Sequence, residues 1–278
     1  MKHTFGFVYV FIAMAAIVSC NSPSSTKTEQ PAETRQPAVK EMNISYGGDS
    51  TTMNGFVAYD TSIDTKRPAI LVIPEWWGLN DYPKMRAREL AKLGYIAMAI
   101  DMYGNGLTTD SPSTAGKLAT PFYINPQKAK ARIDAALVAL KSFMQTDTGK
   151  IAAIGYCFGG GMVLNAARLG ENFKGVVSFH GSLVGTPANK ELLKAKILVC
   201  HGADDPFVKK EEVDQFKKQM DSIQADYTFK AYPGAVHAFT NPHATEVGKK
   251  WNIPIAYNAA ADSASWKEMK AFFDKIFK

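Results

Sequence analysis

A cysteine flanked by glycines is the residue of this sequence whose setting most clearly indicates chemistry. Gly155, Cys157 and Gly159 form a G-x-C-x-G motif between the apolar run 151–154 and the small, apolar residues 162–169. This order predicts a buried strand, a sharp turn and a helix, the arrangement of a nucleophile elbow. The glycines let strand and helix approach each other around a strained central residue. We expect Cys157 to be a nucleophile at a helix N-terminus, where the partial positive charge favours a thiolate; a buried, inert cysteine is the alternative.

A thiol needs a base to remove its proton, and the base needs a group that orients it. His237 follows a late predicted strand, and Asp204 and Asp205 follow the strand before it. The chain order is therefore nucleophile, acid, histidine, which is the order used by α/β-hydrolases. We predict that His237 transfers the proton and that one of the two aspartates holds the imidazole in one tautomer. His180 and His201 also end predicted strands. Histidines at strand ends are more often held by local hydrogen bonds, and a role as the base is the alternative for each.

Two backbone N–H groups are predicted to bind the oxyanion that forms when a thiolate attacks a carbonyl. One belongs to Phe158, which directly follows the nucleophile, and the other to Trp76, in the loop after the strand 69–73. Trp77 lies beside it. The pair Trp76 and Trp77 is either a hydrophobic cover or core, or the wall of an apolar acyl pocket.

Strands that alternate with helices must position these groups. The predicted strands are 44–46, 55–59, 69–73, 95–100, 151–154, 175–179, 196–200 and 227–232, and the predicted helices are 81–93, 126–144, 162–169, 209–222 and 257–277. A long loop, 102–125, separates two of these elements and is a candidate cover for the site. The alternation predicts an α/β fold with a mostly parallel, doubly wound sheet and helices on both faces. Chemistry in such sheets lies beyond the carboxyl ends of the strands.

The first forty residues differ in composition from the rest. Residues 1–19 have a basic start and a short apolar core, and Cys20 ends a segment that resembles a bacterial lipobox. We predict a lipoprotein signal peptide over 1–19, a lipidated Cys20 in a flexible tether over 20–40, and a single domain over 41–278. The protein would then be exported and anchored to a bacterial membrane, on its periplasmic or cell-surface face. A secretory signal with an incidental cysteine is the alternative.

Composition excludes several other classes of function. The net charge of +6 comes from lysines scattered along predicted helices, so nucleic acid is not an expected partner. Cys200 lies in an apolar strand and is expected in the core, which leaves no pair of cysteines for a disulfide framework. No spacing of cysteine and histidine indicates a metal, and no cofactor is predicted. We expect a monomer.

Five segments together resemble the dienelactone hydrolase family. They are IPEWWGLN at 73–80, DMY at 101–103, GYCFGG at 155–160, DPFV at 205–208 and GAVHAF at 234–239. The resemblance covers about residues 41–278 and implies a single-domain α/β-hydrolase with a triad of Cys157, His237 and Asp205. It also implies that Glu75 contacts the resting thiol and helps to form the thiolate when substrate binds. A salt bridge within the loop is the alternative role for Glu75.

The sequence departs from the pattern of this family at two positions. Members that open dienelactones hold the substrate carboxylate with two arginines, and the corresponding positions here are Asn105 and Asn241. Loss of a charged contact removes about 1.5–3 kcal/mol. We therefore expect a neutral or differently charged ester, lactone or thioester, in a pocket formed by Trp77, Tyr103, Asn105, Phe239 and Asn241.

Two functions of different class remain open on the sequence. One is hydrolysis of an ester-like carbonyl through Cys157. The other is ligand binding by a surface lipoprotein whose hydrolase site has decayed. A redox role for Cys157 is less favoured, because the sequence offers it no resolving cysteine.

Overall fold

The computed structural model describes residues 1–11, 36–48 and 50–278. The chain divides into two units, Met1–Gln36 and Pro37–Lys278. The predicted lipidation site, Cys20, and most of the predicted signal and tether lie outside the described residues. Within the described part of the chain, no helix is long and apolar enough to cross a membrane.

Eight strands of the second unit form one sheet. They are β1 Val39–Gly48, β2 Thr51–Asp60, β3 Arg67–Ile73, β4 Ile96–Ala99, β5 Thr146–Tyr156, β6 Gly175–Phe179, β7 Lys196–Gly202 and β8 Tyr227–Tyr232. Their order in the sheet is β1-β2-β4-β3-β5-β6-β7-β8. The pairs β1–β2 and β2–β4 are antiparallel and all other pairs are parallel. The prediction of a mostly parallel α/β sheet is confirmed.

Seven helices accompany the sheet in the described residues. They are α1 Asp81–Lys92, α2 Pro112–Ile124, α3 Pro126–Lys141, α4 Phe158–Arg168, α5 Lys210–Ser222, α6 Ala244–Trp251 and α7 Ala259–Ile276. Side chains of α2, α3, α4 and α5 pack on one face of the sheet, and those of α1 and α7 on the other. The doubly wound prediction therefore holds, and both faces of the sheet are covered.

The central strand β3 shows why the apolar run could be recognised. Leu71 and Ile73 point into the core on one face, and Ile70 and Val72 into the core on the other. Alternate side chains of a strand lie on opposite faces, so a strand that is buried on both faces is apolar throughout. The parallel neighbours of β3 are β4 and β5, which brings the loop after β3 beside the end of β5.

Two helices were missing from the sequence prediction. Residues 112–124, predicted as loop, form α2, and α6 was not predicted. Pro112 occupies the first turn of α2, where a missing N–H is tolerated, and Ala119 and Phe122 are buried against the core. The prolines and Gly116 obscured a helix that tertiary packing stabilises. Helix α3 also ends before Met144, whose side chain is exposed.

Candidate active site

The nucleophile elbow is present between β5 and α4. Cys157 directly precedes α4, with φ 51° and ψ −114°, in a region that a residue with a side chain adopts only under strain. The Cys157 N–H donates to the Phe179 carbonyl at 3.0 Å and to Nδ1 of His180 at 3.1 Å. These two bonds to the neighbouring strand end hold the strained residue at the carboxyl edge of the sheet.

Close backbone approach explains the glycines of the motif. A Cβ atom on Gly155 would lie 2.1 Å from the Gly159 carbonyl oxygen, and a Cβ on Gly159 would lie 2.3 Å from the Ile73 carbonyl oxygen. The Gly159 N–H donates to the carbonyl of Pro74 at 3.1 Å. The elbow is thus packed directly on the loop that follows β3, and a side chain at either glycine would separate them.

His237 and Asp205 form a buried pair beside the thiol. Nδ1 of His237 lies 2.7 Å from Oδ2 of Asp205, and Oδ1 of Asp205 accepts from the Phe207 N–H at 2.9 Å. The Cys157 sulfur lies within hydrogen-bonding reach of the His237 ring. Burial alone would lower the pKa of His237, but the attraction of the Cys157 sulfur and the bond to Asp205 outweigh it and raise this pKa to about 10.

The neighbouring aspartate has a different environment. Asp204 is exposed, and its Oδ2 accepts the N–H of Gly234 at 3.0 Å, which is a contact within the turn. Of the two aspartates left open by spacing, only Asp205 is therefore bonded to His237. This is the acid that the family resemblance implied.

Glu75 reaches the same cavity from the loop after β3. Its carboxylate is buried, and Oε2 accepts a 2.7 Å hydrogen bond from Nδ2 of Asn241. Burial raises the pKa of Glu75 to about 7, although the Asn241 amide and the positive charges of His237 and Arg86 each favour the carboxylate. The partner of Glu75 is an amide rather than a cation, so this contact differs from the salt bridge considered as its alternative role.

The two peptide N–H groups predicted to bind an oxyanion belong to Phe158 and Trp76, and the structure fixes the surroundings of each. Phe158 is the first residue of α4, where a helix leaves its N–H groups without an intrahelical acceptor. The carbonyl of Glu75 accepts the Gly78 N–H at 3.2 Å, and because a trans peptide directs its N–H opposite to its carbonyl, this bond fixes the direction of the Trp76 N–H. The Tyr103 hydroxyl donates to the Trp76 carbonyl at 2.8 Å and holds the following peptide.

The other two strand-end histidines are not placed as bases. His180 is fully buried with both ring nitrogens engaged, Nδ1 by the Cys157 N–H and Nε2 by the Thr240 hydroxyl at 2.7 Å. Burial, with a contribution from His237, holds the pKa of His180 well below its ordinary value, so the ring is neutral. The His201 ring packs against Phe229 with centroids 5.6 Å apart.

A cavity of about 450 Å³ opens above the thiol. Its wall contains Glu75, Trp76, Trp77, Gly116, Ala119, Thr120, Tyr123, Cys157, Ser182, Phe207, Val208, His237, Ala238, Ile253 and Ile255. Both tryptophans thus belong to the wall, as the pocket interpretation predicts. Helix α2 supplies four of the lining residues, which the sequence prediction missed because it placed a loop there. Among the described residues, no group of His, Cys, Asp and Glu has the arrangement of a metal site.

Four residues predicted for the substrate pocket are not among those that line this cavity. Phe239 is fully buried in the core under α7, and Asn105 is exposed in a turn with φ 54°. Tyr103 is buried with its hydroxyl on the Trp76 carbonyl. Asn241 lies behind Glu75 rather than in the wall of the cavity. Sequence proximity to the motifs located these residues near the site but could not give the direction of their side chains.

The strand order and the chain positions of the site residues match a known arrangement. A mostly parallel sheet with a strained cysteine in a glycine-flanked elbow after β5, an aspartate after β7 and a histidine after β8 is the arrangement of an α/β-hydrolase. The sequence model of the dienelactone hydrolase family matches residues 53–277. The chain therefore belongs to the dienelactone hydrolase family.

Similar proteins agree with this assignment. The crystal structure of the dienelactone hydrolase-like promiscuous phosphotriesterase P91 from metagenomic libraries has a TM-score of 0.80 and 34% identity, over 86% of this chain and 98% of that one. A second solved structure, titled m3DLH, has a TM-score of 0.81 and 34% identity over 87% of this chain and 100% of that one. A protein of Aquifex aeolicus named "Putative carboxymethylenebutenolidase" is 32% identical over 76% of this chain and 89% of its own length.

Proposed function

We propose that this member of the family hydrolyses a neutral carboxylic ester, lactone or thioester with Cys157 as the nucleophile. The observation that carries the proposal is the continuous contact from Asp205 to His237 and on to the Cys157 sulfur, at the floor of a cavity. A hydrogen-bonded series of nucleophile, base and orienting acid is what covalent catalysis on a carbonyl requires.

The geometry supports a two-stage reaction. His237 removes the thiol proton, and the Cys157 thiolate adds to the substrate carbonyl, whose oxygen becomes an oxyanion bound by the N–H groups of Phe158 and Trp76. The intermediate collapses to a thioester as His237 protonates the departing alkoxide or thiolate. Water, deprotonated by His237, then attacks the thioester, and the carboxylic acid leaves as the proton returns to the sulfur. Asp205 stabilises the imidazolium in each stage.

Glu75 has a separate part in the proposal. It shares the cavity with Cys157 and has a pKa of about 7, so it can exchange a proton with the thiol at neutral pH. The family resemblance implies a related role, in which the glutamate contacts the resting thiol and assists His237 in forming the thiolate as substrate binds.

The cavity wall supports a neutral substrate. The described residues that line it include no lysine and no arginine, and most of them are apolar. When Glu75 is ionised, it repels a carboxylate placed above Cys157. A neutral acyl group therefore suits this wall better than a charged dienelactone does, as the missing arginines predict.

Hydrolysis of p-nitrophenyl acetate and butyrate by the full chain tests the proposal. We expect turnover that is lost in Cys157→Ala and retained in Cys200→Ala, since Cys200 is a buried thiol in β7. Parental activity in Cys157→Ala would contradict the assignment. A reactive Cys157 thiol without any turnover of these esters, lactones or thioesters would instead support the ligand-binding alternative, which neither the family membership nor the geometry favours.

A second activity is supported by one relative. P91 is described as a promiscuous phosphotriesterase, and a mostly apolar wall without lysine or arginine also suits a neutral phosphotriester. We propose that diethyl p-nitrophenyl phosphate reacts with Cys157, which displaces p-nitrophenolate and leaves a diethylphosphoryl group on sulfur. Release of p-nitrophenolate by the parent and not by Cys157→Ala is the expected result. No release at millimolar substrate would exclude this activity without bearing on the carboxylic esters.

The membrane anchor remains a proposal of its own. We propose that Cys20 carries lipid and attaches the hydrolase domain to a bacterial membrane. The test is detergent phase partitioning of the full chain produced in a bacterial host. We expect the parent in the detergent phase and Cys20→Ser in the aqueous phase, whereas equal partitioning of the two would contradict the anchor.

A further inference from the structure

A buried series of hydrogen bonds joins the nucleophile elbow to the loop that carries the base. The Cys157 N–H donates to Nδ1 of His180 at 3.1 Å, and Nε2 of His180 lies 2.7 Å from the Thr240 hydroxyl. The Thr240 hydroxyl lies 2.7 Å from the hydroxyl of Tyr82. His180 and Thr240 are 0% and 1% exposed, so water does not substitute for these bonds.

The direction of these bonds follows from valence. Nδ1 of His180 accepts from a backbone N–H and carries no proton. A neutral imidazole then has its proton on Nε2, which must donate to the Thr240 oxygen. The Thr240 hydroxyl therefore selects the tautomer of His180 that can accept from Cys157.

Three residues in or beside this series of hydrogen bonds have strained backbone conformations. Cys157, His180 and Ala238 have φ values of 51°, 41° and 60°, although none is glycine. Such conformations persist where the surrounding structure holds them, and they concentrate at functional sites. The His180–Thr240 bond links the strained elbow to the strained segment 237–241, which also contains the base.

We propose that His180 and Thr240 are positioning residues that set the distance and orientation of the His237 ring relative to the Cys157 sulfur. The inference rests on the proposed function, since it assigns His237 as the base. Thr240 is three residues after His237, so its bond to His180 anchors the far end of the segment. Asp205 orients the ring itself, and the His180–Thr240 bond fixes the backbone from which the ring extends.

The charged groups around His180 favour a neutral imidazole that is fixed in position. His237 lies 5.4 Å away between ring centroids, and Arg86 and His201 also act on His180. Arg86 donates to the Thr240 carbonyl at 2.7 Å and to the Asp262 carboxylate at 2.5 Å, so its charge is paired. A protonated His180 would lose its acceptor for the Cys157 N–H and would repel the imidazolium of His237.

Thr240→Val and Thr240→Ser form a matched pair of variants. Valine keeps the shape of threonine but removes the hydroxyl, and serine restores it. We expect Thr240→Val to lower kcat for p-nitrophenyl acetate by about tenfold or more with KM within about twofold, because base and nucleophile lose alignment. Thr240→Ser should recover most of the rate.

A second readout does not need ester turnover. The rate of Cys157 alkylation by iodoacetamide as a function of pH reports how well His237 stabilises the thiolate. We expect the midpoint of this profile to move to higher pH in Thr240→Val and to return in Thr240→Ser. If the parent shows no ester turnover, the proposed function fails, while the alkylation profiles still test the role of the His180–Thr240 bond.

His180→Asn keeps the test valid if Thr240→Val fails to fold. Asparagine tolerates positive φ and can accept from the Cys157 N–H, but it is too short to reach Thr240. His180→Asn should reproduce the loss of kcat seen in Thr240→Val. The double variant should lose little more, because both substitutions remove the same His180–Thr240 bond. Parental kcat and alkylation profile in a folded Thr240→Val or His180→Asn would overturn the inference.

Discussion

The Asn241 side chain donates a 2.7 Å hydrogen bond to the Glu75 carboxylate, 166 residues away in the chain. Both groups are buried, and the bond holds the carboxylate in the wall of the cavity that contains Cys157. Asn241 occupies a position at which the family resemblance predicted a lost substrate clamp. In this structure its amide instead stabilises the ionised form of Glu75 and partly offsets the effect of burial.

Glu75 is expected to reduce stability as the pH rises. The folded protein holds the Glu75 proton up to a pKa of about 7, whereas the unfolded chain releases it near the ordinary value of 4.5. Stability is therefore fully present below pH 4.5 and is lost as pH rises to 7, by about 3 kcal/mol. Chemical unfolding of Glu75→Gln and the parent at pH 4, 6 and 8 measures this difference. The free energy of unfolding of Glu75→Gln relative to that of the parent should rise from pH 4 to pH 8. A difference that stays constant with pH would contradict the raised pKa.

Substitutions at Asn241 should shift the pKa of Glu75 in opposite directions. Asn241→Leu removes a donor to the carboxylate and raises this pKa further, whereas Asn241→Arg adds a positive charge and lowers it. If Glu75 acts as its carboxylate, the acidic limb of kcat/KM should move to higher pH in the leucine variant and to lower pH in the arginine variant. Profiles of p-nitrophenyl acetate hydrolysis from pH 5 to 9 distinguish them, and limbs that coincide would exclude Glu75 from the reaction.

Asp205 and Asp204 provide a matched pair for the role of the acid. Asp205→Asn removes the charge that faces His237 and permits the wrong tautomer, so kcat should fall by about 10³–10⁴-fold. Asp204→Asn changes only an exposed contact to Gly234 and should leave kcat within about twofold. Steady-state kinetics measures both. A larger loss in Asp204→Asn than in Asp205→Asn would reverse the assignment.

The elbow glycines should differ in their tolerance of alanine. Gly159→Ala places Cβ 2.3 Å from the Ile73 carbonyl oxygen, so the loop after β3 must move away from the elbow. Gly161→Ala meets its nearest atom at 3.5 Å, an ordinary contact, and alanine favours the helix. We expect Gly159→Ala to lose activity and several kcal/mol of stability, while Gly161→Ala retains both. Thermal unfolding and ester turnover would show equal effects if close packing were unimportant.

Local patterns predicted all eight strands and five of the seven helices of the described residues, although several strands extend beyond their predicted bounds. The apolar run of β3 and the glycines around Cys157 are sequence signals with a direct physical cause, since burial on both faces and close backbone approach restrict the residue types. The same logic placed Glu75, Cys157, Asp205 and His237 at one edge of the sheet. Family resemblance then selected Asp205, which spacing alone could not do.

The features that the sequence prediction missed depend on tertiary contacts. Helix α2 contains Pro121 and Gly116 and is held by buried side chains such as Phe122, so local propensity argued against it. The cavity wall that it forms was missed for the same reason. The hydrogen-bond partners of His180 could not be predicted, because no local pattern reveals that its ring accepts the N–H of a residue 23 positions away. Phe239 belongs to a segment that resembles the family and was predicted in the pocket, yet its side chain lies in the core.

In the proposed mechanism the Cys157 sulfur carries the acyl group during turnover, and trapping this intermediate is the decisive experiment. The full chain is mixed briefly with p-nitrophenyl butyrate, quenched in acid, digested and analysed by mass spectrometry, with Cys157→Ala and Cys200→Ala treated alike. We expect one butyryl group on the peptide that contains Cys157, in the parent and in Cys200→Ala. Ester turnover in Cys157→Ala, or a butyryl group that turns over on another residue, would contradict it.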